Sequence, residues 1–445
     1  MTRTVIADDS RNEFWSANET LARIKSAAEL RSVGRWALLA SCLARVATLV
    51  PVDTTLPPTV GSRASLNCYA CLVSDSSGGK SAAQAVAHDL LPIPDVPILP
   101  LGTGQGMVAS FVTYIAAKPG NKEGTPATPA HLERVNSAVL FKVDEIGDIT
   151  AKTANGGNNL MPALRSAWGA EEQGSSTVSK DSRLHLNRHS YRAALIINAQ
   201  LGASRFLLND SDAGTPQRFL WAPAVDGSDL TEDQILSMTW EDLAPSGEAV
   251  RPIDVSHLPF SFYADLESPS WYHDLKVCRA AAIDVRLDRK RAEAGLPTKF
   301  PAHHLLNRLK VAALLSFLCG GNGDVTDEYW DLSAVVMGVS EETKVMLAAH
   351  AEMADAEEDA KAGARFGRIE DAKQDMLADA EDKRAARIRD RIIKRLADGP
   401  MRLREIRQGF NGKDKKAAIE ALTLLVNSQQ VLLRDDETYA LAEGE

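Results

Sequence analysis

A loop of small residues followed by a lysine and a hydroxyl is the clearest chemical signal in the chain. It lies in Leu72-Val-Ser-Asp-Ser-Ser-Gly-Gly-Lys-Ser81, before the helix-forming segment AAQAVAHDL. Such a loop, with the positive end of a helix behind it, points backbone N–H groups at phosphate, while the lysine contacts the outer phosphates and the hydroxyl contacts Mg²⁺. The pattern predicts a nucleotide site formed by Ser77, Gly78, Gly79, Lys80 and Ser81. It departs from G-x-x-x-x-G-K-[ST] at Ser74, so the loop must begin slightly differently.

Two carboxylates end a second apolar segment, 64 residues after Lys80, in Ala138-Val-Leu-Phe-Lys-Val-Asp-Glu-Ile146. A buried strand here would bring Asp144 to the magnesium ion and Glu145 to a water molecule. Orienting that water and removing its proton as the γ-phosphoryl group departs is the work of a general base. We therefore predict Asp144 as a metal ligand and Glu145 as the catalytic base, with an ordinary strand end as the alternative.

Three further polar residues lie at predicted strand ends or in turns. Asn198 ends the apolar segment YRAALIIN, and ligands collect at the carboxyl ends of strands in open α/β sheets, so it is placed to contact the γ-phosphate or the water. Arg218 precedes a strand and is a candidate arginine finger delivered by a neighbouring subunit. Gln105, in LGTGQG, is a candidate nucleotide contact. The alternatives are a turn cap, a local salt bridge and a flexible turn, respectively.

The elements that must position these residues alternate between strands and helices. Apolar strand candidates at 65–73, 98–101, 138–143, 193–198 and 219–223 are separated by long crossovers. This spacing is typical of βαβ units, so we predict an α/β fold with a mostly parallel sheet and helices on both faces. The predicted domains are a helical N-terminal region of two helices (1–58), the sheet core (59–225), a connection and helical subdomain (226–340), an acidic helical linker (341–385) and a C-terminal module (386–445).

The C-terminal module has the element order of a winged helix. An amphipathic helix ends at Gly399-Pro400, and a short strand, two helices and a hairpin around 435–437 follow. Recognition helices enter the DNA major groove by their N-terminal residues. Lys413, Lys415, Lys416 and Arg434 are therefore candidate DNA contacts, although the same fold also joins proteins, and nearby acids almost balance these bases. In the core, Lys180, Arg183 and Arg188 are candidate pore-loop contacts, with an ordinary exposed hairpin as the alternative.

The composition excludes several classes of protein. A 44% hydrophobic and 25% charged chain is ordinary for a globular protein, which excludes fibrous and wholly disordered classes. Five cysteines are an odd and scattered set, which argues against a disulfide framework. No apolar run reaches the length of a membrane span, so we expect a cytoplasmic protein without a membrane partner. The net charge of −10 makes the distribution of basic residues decisive for any nucleic-acid contact.

The order of these motifs between about residues 14 and 223 resembles the P-loop ATPase module of actinobacterial and phage or mobile-element primase-helicase-like proteins. That module is related in fold to ring-forming RecA-like and AAA+ motors. The resemblance implies a P-loop NTPase fold with ATP and Mg²⁺ as cofactors. By it, Lys80 and Ser81 bind phosphate and magnesium, Asp144 is the magnesium carboxylate, Asn198 the polar sensor and Arg218 the interface arginine. Related chains more often carry an acidic residue at the position of Gln105, so hydrolysis here would depend on Glu145.

These observations lead to an expected function. We expect an ATPase that forms a homo-oligomeric, hexameric ring and acts as a DNA helicase or translocase in the replication of a phage or mobile element. A separate primase or loader is expected as a partner, because no priming domain fits on this chain. The alternative is a nucleotide-gated DNA-binding or defence ATPase whose output is oligomerisation rather than unwinding.

Overall fold

The computed structural model describes residues 8–59, 61–75, 77–118, 127–147, 149, 159–174, 183–201, 205–208, 210, 213–226, 231–243, 250–258 and 260–442. The chain divides into two compact units, Met1–Ala354 and Asp355–Glu445. No helix in the described ranges is long and apolar enough to cross a bilayer.

Helices and strands alternate through the first unit. The helices of the chain are α1 (Asp8–Ser16), α2 (Glu19–Leu30), α3 (Arg35–Leu49), α4 (Lys80–Leu90), α5 (Gly104–Ala109), α6 (Leu160–Trp168), α7 (Arg205–Leu208), α8 (Glu232–Leu236), α9 (Trp240–Leu243), α10 (Arg279–Glu293), α11 (His304–Leu318), α12 (Asp327–Ala397), α13 (Leu403–Gln408) and α14 (Asp414–Asn427). The strands are β1 (Thr54–Thr55), β2 (Tyr69–Val73), β3 (Ile98–Pro100), β4 (Val112–Ile115), β5 (His131–Arg134), β6 (Ala138–Val143), β7 (Gln173–Gly174), β8 (His185–Leu186), β9 (Arg192–Ala199), β10 (Phe219–Pro223), β11 (His273–Asp274), β12 (Met401–Arg402), β13 (Val431–Leu433) and β14 (Thr438–Leu441).

The core of the first unit is a five-stranded parallel sheet in the order β10-β2-β9-β6-β3. This confirms the predicted α/β class with a parallel sheet. Strand β9 lies between β2 and β6, so the strand before the GGKS sequence and the strand before Asp144 are not neighbours. Val73 pairs with Ala199, and Val143 pairs with Ile197, so these three strands end at one carboxyl edge.

Helices cover both faces of this sheet, as predicted. On one face, which we call the α4 face, Leu72, Leu140 and Ile196 pack into a core shared with α3, α4 and α11. On the other, the α6 face, Cys71, Val139 and Ile197 pack with α5 and α6. Neighbouring residues of one strand enter opposite cores because successive side chains of a strand point to opposite faces.

The N-terminal region contributes three helices to this core, rather than the two that we predicted. Asn18 Oδ1 accepts a hydrogen bond of 2.8 Å from Thr20 N and so begins α2 separately from α1. Helix α3 is buried along almost its whole length, because it lies between the sheet and other helices. The first three predicted domains therefore share one core, which extends in sequence from Phe14 to Val339.

Two cations are buried near the amino edge of the sheet, opposite the GGKS end. Lys310 Nζ donates to Asn67 O at 3.0 Å and Trp168 O at 2.7 Å, and burial lowers its pKa far below the usual lysine value. Arg192 donates to Val50 O at 3.1 Å and to the Ser65 hydroxyl at 2.7 Å. These bonds satisfy carbonyl and hydroxyl groups that would otherwise be buried without partners.

The second unit has a separate small core. The end of α12 packs with α13, α14 and a three-stranded antiparallel sheet in the order β12-β14-β13, around Ile392, Phe410, Leu422 and Val431. Helix α12 passes without interruption through the acidic segment 341–385.

Candidate functional site

Lys80 is turned back onto the start of its own loop. Its Nζ donates to Ser74 O at 3.0 Å, to Ser74 Oγ at 2.8 Å and to Asp75 O at 2.8 Å. Partial burial lowers the pKa of Lys80, while the charge of Asp75 opposes that shift. Three oxygen atoms of the loop thus hold the ammonium group. A bound phosphate would have to replace them as its partners.

Ser74, the departure from the glycine-rich pattern, is built into this arrangement. Its hydroxyl donates to Asp75 O at 2.9 Å and accepts from Lys80. A Cβ added to Gly78 would lie 2.2 Å from Ser74 Oγ, so Gly78 must remain a glycine while Ser74 is present. Gly79 has a φ of +75° and Ser77 a φ of +67°, the left-handed turn that places Lys80 at the start of α4.

Asn198 connects the middle strand to the first turns of α4. Its side chain is buried, its Nδ2 donates to Ser81 Oγ at 3.3 Å, and its Oδ1 accepts from Gln84 Nε2 at 2.6 Å. The expected contact with phosphate is therefore indirect, because the amide contacts Ser81 and Gln84. The sequence analysis did not identify Gln84. Its position one turn after Lys80, on the same face of an amphipathic helix, is the signal that could have done so.

Asp144 follows β6 at the same carboxyl edge and carries an ion pair. Asp144 Oδ1 lies 2.8 Å from Lys142 Nζ. Leu140 faces α4, so by alternation Lys142 and Asp144 lie on the α4 face with Ser81. Glu145, the next residue, is exposed just beyond the end of β6 at the same carboxyl edge.

These residues fit a magnesium ion held jointly with a nucleotide. Magnesium is usually bound by one or two carboxylates together with substrate phosphates. Asp144 already holds a cationic group, the Lys142 ammonium, and the Ser81 hydroxyl is on the same face. Among the described residues, no three His, Cys, Asp or Glu side chains form a metal cluster, so the protein alone supplies few ligands.

Arg218 lies at the other end of the sheet from Lys80. Phe219 pairs with Tyr69 and Pro223 pairs with Val73, so Arg218 precedes the amino end of β10, about 17 Å of strand away from the loop. Its NH1 donates to Ala213 O at 3.0 Å and Gly214 O at 2.7 Å, and its guanidinium lies 5.6 Å from the Trp168 ring. Arg218 therefore cannot reach a phosphate in its own subunit. This agrees with an arginine finger, which acts on the site of a neighbouring subunit.

Gln105 lies apart from the GGKS loop. It is exposed in the first turn of α5, after the edge strand β3, and lines a pocket on the α6 face with Asn159 and Glu172. Strand β3 is three strand spacings, about 14 Å, from β2. This separation disfavours a contact between Gln105 and a phosphate at Lys80.

Two of the candidate pore-loop residues, Arg183 and Arg188, lie just before and just after strand β8 of a short hairpin. Strands β7 and β8 pair in antiparallel fashion. Arg188 lies 3.2 Å from Glu171, Arg183 is exposed, and Lys180 lies outside the described residues. The hairpin matches the alternative for this segment, and its contacts with DNA stay a prediction.

The C-terminal module within the second unit is slightly basic. Residues 386–445 contain twelve Lys or Arg and ten Asp or Glu, a net charge of +2, against −10 for the whole chain. Lys413, Lys415, Lys416 and Arg434 are exposed. Asp414, one of the nearby acids, is engaged by Arg384 at 2.8 Å. The sequence analysis overlooked three further exposed bases on β12 and α13, namely Arg402, Arg404 and Arg407.

No protein-family model matches the chain, and no curated protein matches it either.

Proposed function

We propose that the chain is an ATP- and Mg²⁺-dependent P-loop ATPase that forms a hexameric ring and acts as a DNA helicase or translocase. The observation that carries the proposal is the shared position of four groups. Lys80, Ser81, Asn198 and Asp144 all lie at one carboxyl edge of a parallel sheet, where α/β proteins bind ligands, and Asn198 contacts Ser81.

The proposed site divides its work among these residues. The GGKS loop and the N-terminus of α4 bind the phosphates, and Lys80 exchanges its loop oxygens for phosphate oxygens. Ser81 and Asp144 would hold Mg²⁺, which when bound neutralises phosphate charge. Asn198 fixes the direction of the Ser81 hydroxyl. Glu145, exposed at the strand end, accepts the proton of the attacking water.

Ring formation is supported by the position of Arg218. An arginine that completes a site in trans must lie on a different side of the subunit from that subunit's own phosphate loop. Arg218 meets this condition, since it lies at the amino edge of the sheet. Release of the guanidinium from Ala213 O and Gly214 O would accompany assembly.

Contact with DNA is proposed for the second unit. Its order of helix, strand, helix, helix and two-stranded wing supports a winged helix, with α14 as the recognition helix. The net charge of +2 on residues 386–445, with exposed lysines at the start of α14, supports contact with phosphates, which the acidic charge of the whole chain would otherwise oppose.

The test is ATP hydrolysis with and without DNA. We expect the unmutated protein to hydrolyse ATP only with a divalent cation and faster with DNA, and Lys80→Ala to lose nucleotide binding. Asp144→Asn should keep nucleotide binding but bind the metal weakly and lose hydrolysis. DNA-bound oligomers that turn over ATP once and displace no strand would support the nucleotide-gated switch instead. No nucleotide binding by folded wild-type protein would refute both.

A further inference from the structure

Lys142 is a charged residue in an otherwise apolar strand. The side chains of Val139, Leu140 and Phe141 are buried, and Lys142 follows them two residues before Asp144. It contributes to a pocket of about 260 Å³ on the α4 face, together with Ser81 and Gln84. Lys142 thus pairs with the Asp144 carboxylate and lines the same pocket as Ser81.

The fold gives no strong reason for this lysine. The side chains of Lys142 and Asp144 are 34% and 67% exposed, and ion pairs this accessible to solvent add little to stability. An aliphatic residue would continue the apolar strand equally well. One member of the pair, Asp144, is the carboxylate that the proposed function assigns to the metal. This points to a role of Lys142 in metal binding.

We propose that Lys142 is a positioning residue that acts as the resident counter-ion of Asp144 and makes metal binding depend on nucleotide. A divalent cation that approaches Asp144 alone must displace the ammonium group or bind beside a like charge. The phosphates of a bound nucleotide supply the negative charge that holds both cations. The metal alone therefore binds weakly, and metal and nucleotide bind cooperatively. This inference rests on the proposed function, in which Asp144 is a metal ligand.

The experiment measures Mn²⁺ affinity from the electron paramagnetic resonance signal of the free ion, with and without ADP. The variants are Lys142→Met and Lys142→Gln, with Lys290→Met on the exposed face of α10 as a control for the same loss of charge. We expect both Lys142 variants to bind Mn²⁺ alone about tenfold more tightly than wild type. The factor by which ADP improves Mn²⁺ affinity should fall correspondingly, and Lys290→Met should behave as wild type.

Asp144→Asn separates this inference from the proposed function. If Asp144→Asn loses Mn²⁺ while the Lys142 variants bind it no more tightly than wild type, the role of Lys142 is refuted and the metal role of Asp144 is kept. If Asp144→Asn binds Mn²⁺ with ADP as wild type does, the metal role and the Lys142 inference both fail. If Lys142→Met binds Mn²⁺ tightly and the double variant Lys142→Met, Asp144→Asn does not, the metal role of Asp144 and the role of Lys142 are both supported.

Discussion

The Asn198 side chain joins strand β9 to the first turn of helix α4, because its Nδ2 donates to the Ser81 hydroxyl at 3.3 Å while its Oδ1 accepts from Gln84 at 2.6 Å. Any nucleotide that binds through Ser81 therefore acts on the middle strand of the sheet.

Replacing Asn198 tests whether this amide positions Ser81. We expect Asn198→Ala to slow ATP hydrolysis about tenfold to a hundredfold, because residues that orient a ligand group contribute about that much. Its nucleotide affinity should stay close to that of wild type, since Lys80 is untouched. Gln84→Ala is the matched control, because it removes the other partner of Asn198 and leaves the bond to Ser81. Equal losses of activity in both variants would show that the network serves only stability.

The contact between Ser74 and Gly78 predicts an unusual rescue. Gly78→Ala places a Cβ 2.2 Å from Ser74 Oγ, so this variant should lose nucleotide binding. Ser74→Gly removes that hydroxyl and one acceptor of Lys80, and should strengthen ATP binding about threefold, because one hydrogen bond fewer must break. The double variant should recover binding that Gly78→Ala lost. Isothermal titration with ATP measures all three, and a double variant as weak as Gly78→Ala would contradict the contact.

Arg218 provides a test of action between subunits. Arg218→Ala should bind nucleotide normally yet hydrolyse it roughly 10³-fold more slowly, which is the loss expected for an arginine finger. Glu145→Gln should also be inactive, but it retains Arg218. Mixing the two proteins in equal amounts joins an intact site to an intact arginine at about a quarter of head-to-tail interfaces. Recovered activity in the mixture is the expected result, and its absence would argue against a role in trans.

The lysines at the start of α14 should set the salt dependence of DNA binding. Replacing Lys413, Lys415 and Lys416 by alanine should weaken DNA binding and lower the slope of log affinity against log salt by about one for each lysine that contacts a phosphate. Fluorescence anisotropy at several salt concentrations measures the slope. Lys290→Met serves again as the control for charge. An unchanged slope would favour the second unit as a joint between proteins.

We predict that His189 makes the folded protein less stable in acid. Burial lowers its pKa from 6.5 to about 4, with Arg188 and Arg192 adding to the shift, and its ring packs 5.7 Å from that of Tyr272. Between these two pKa values the unfolded chain binds more protons than the folded chain, so stability falls as the pH decreases from 6.5 to 4. Chemical denaturation across this range should show the decrease, and His189→Asn should make it smaller. A pH dependence identical in wild type and variant would exclude this histidine as a cause.

Local patterns were enough to predict several parts of this molecule. The strands that end at Val73, Val143 and Ala199 are short apolar runs, and such runs form buried strands with little dependence on the rest of the chain. The turn before Lys80 depends on two adjacent glycines and a helix-forming segment, which are also local features. The element order of the second unit follows from its proline, glycine and apolar periodicity for the same reason.

Other relationships arise only when distant segments pack together. The insertion of β9 between β2 and β6 depends on which strand edges pair, and no short stretch of sequence encodes that choice. This packing has three further consequences. It buries α3 on nearly every side, it separates Arg218 from its own phosphate loop, and it brings Asn198 within hydrogen-bond distance of Ser81. Residue types and spacing thus determined which groups were available for chemistry, whereas the tertiary structure decided which of them meet, because pairing across the sheet depends on long-range burial rather than on neighbours in sequence.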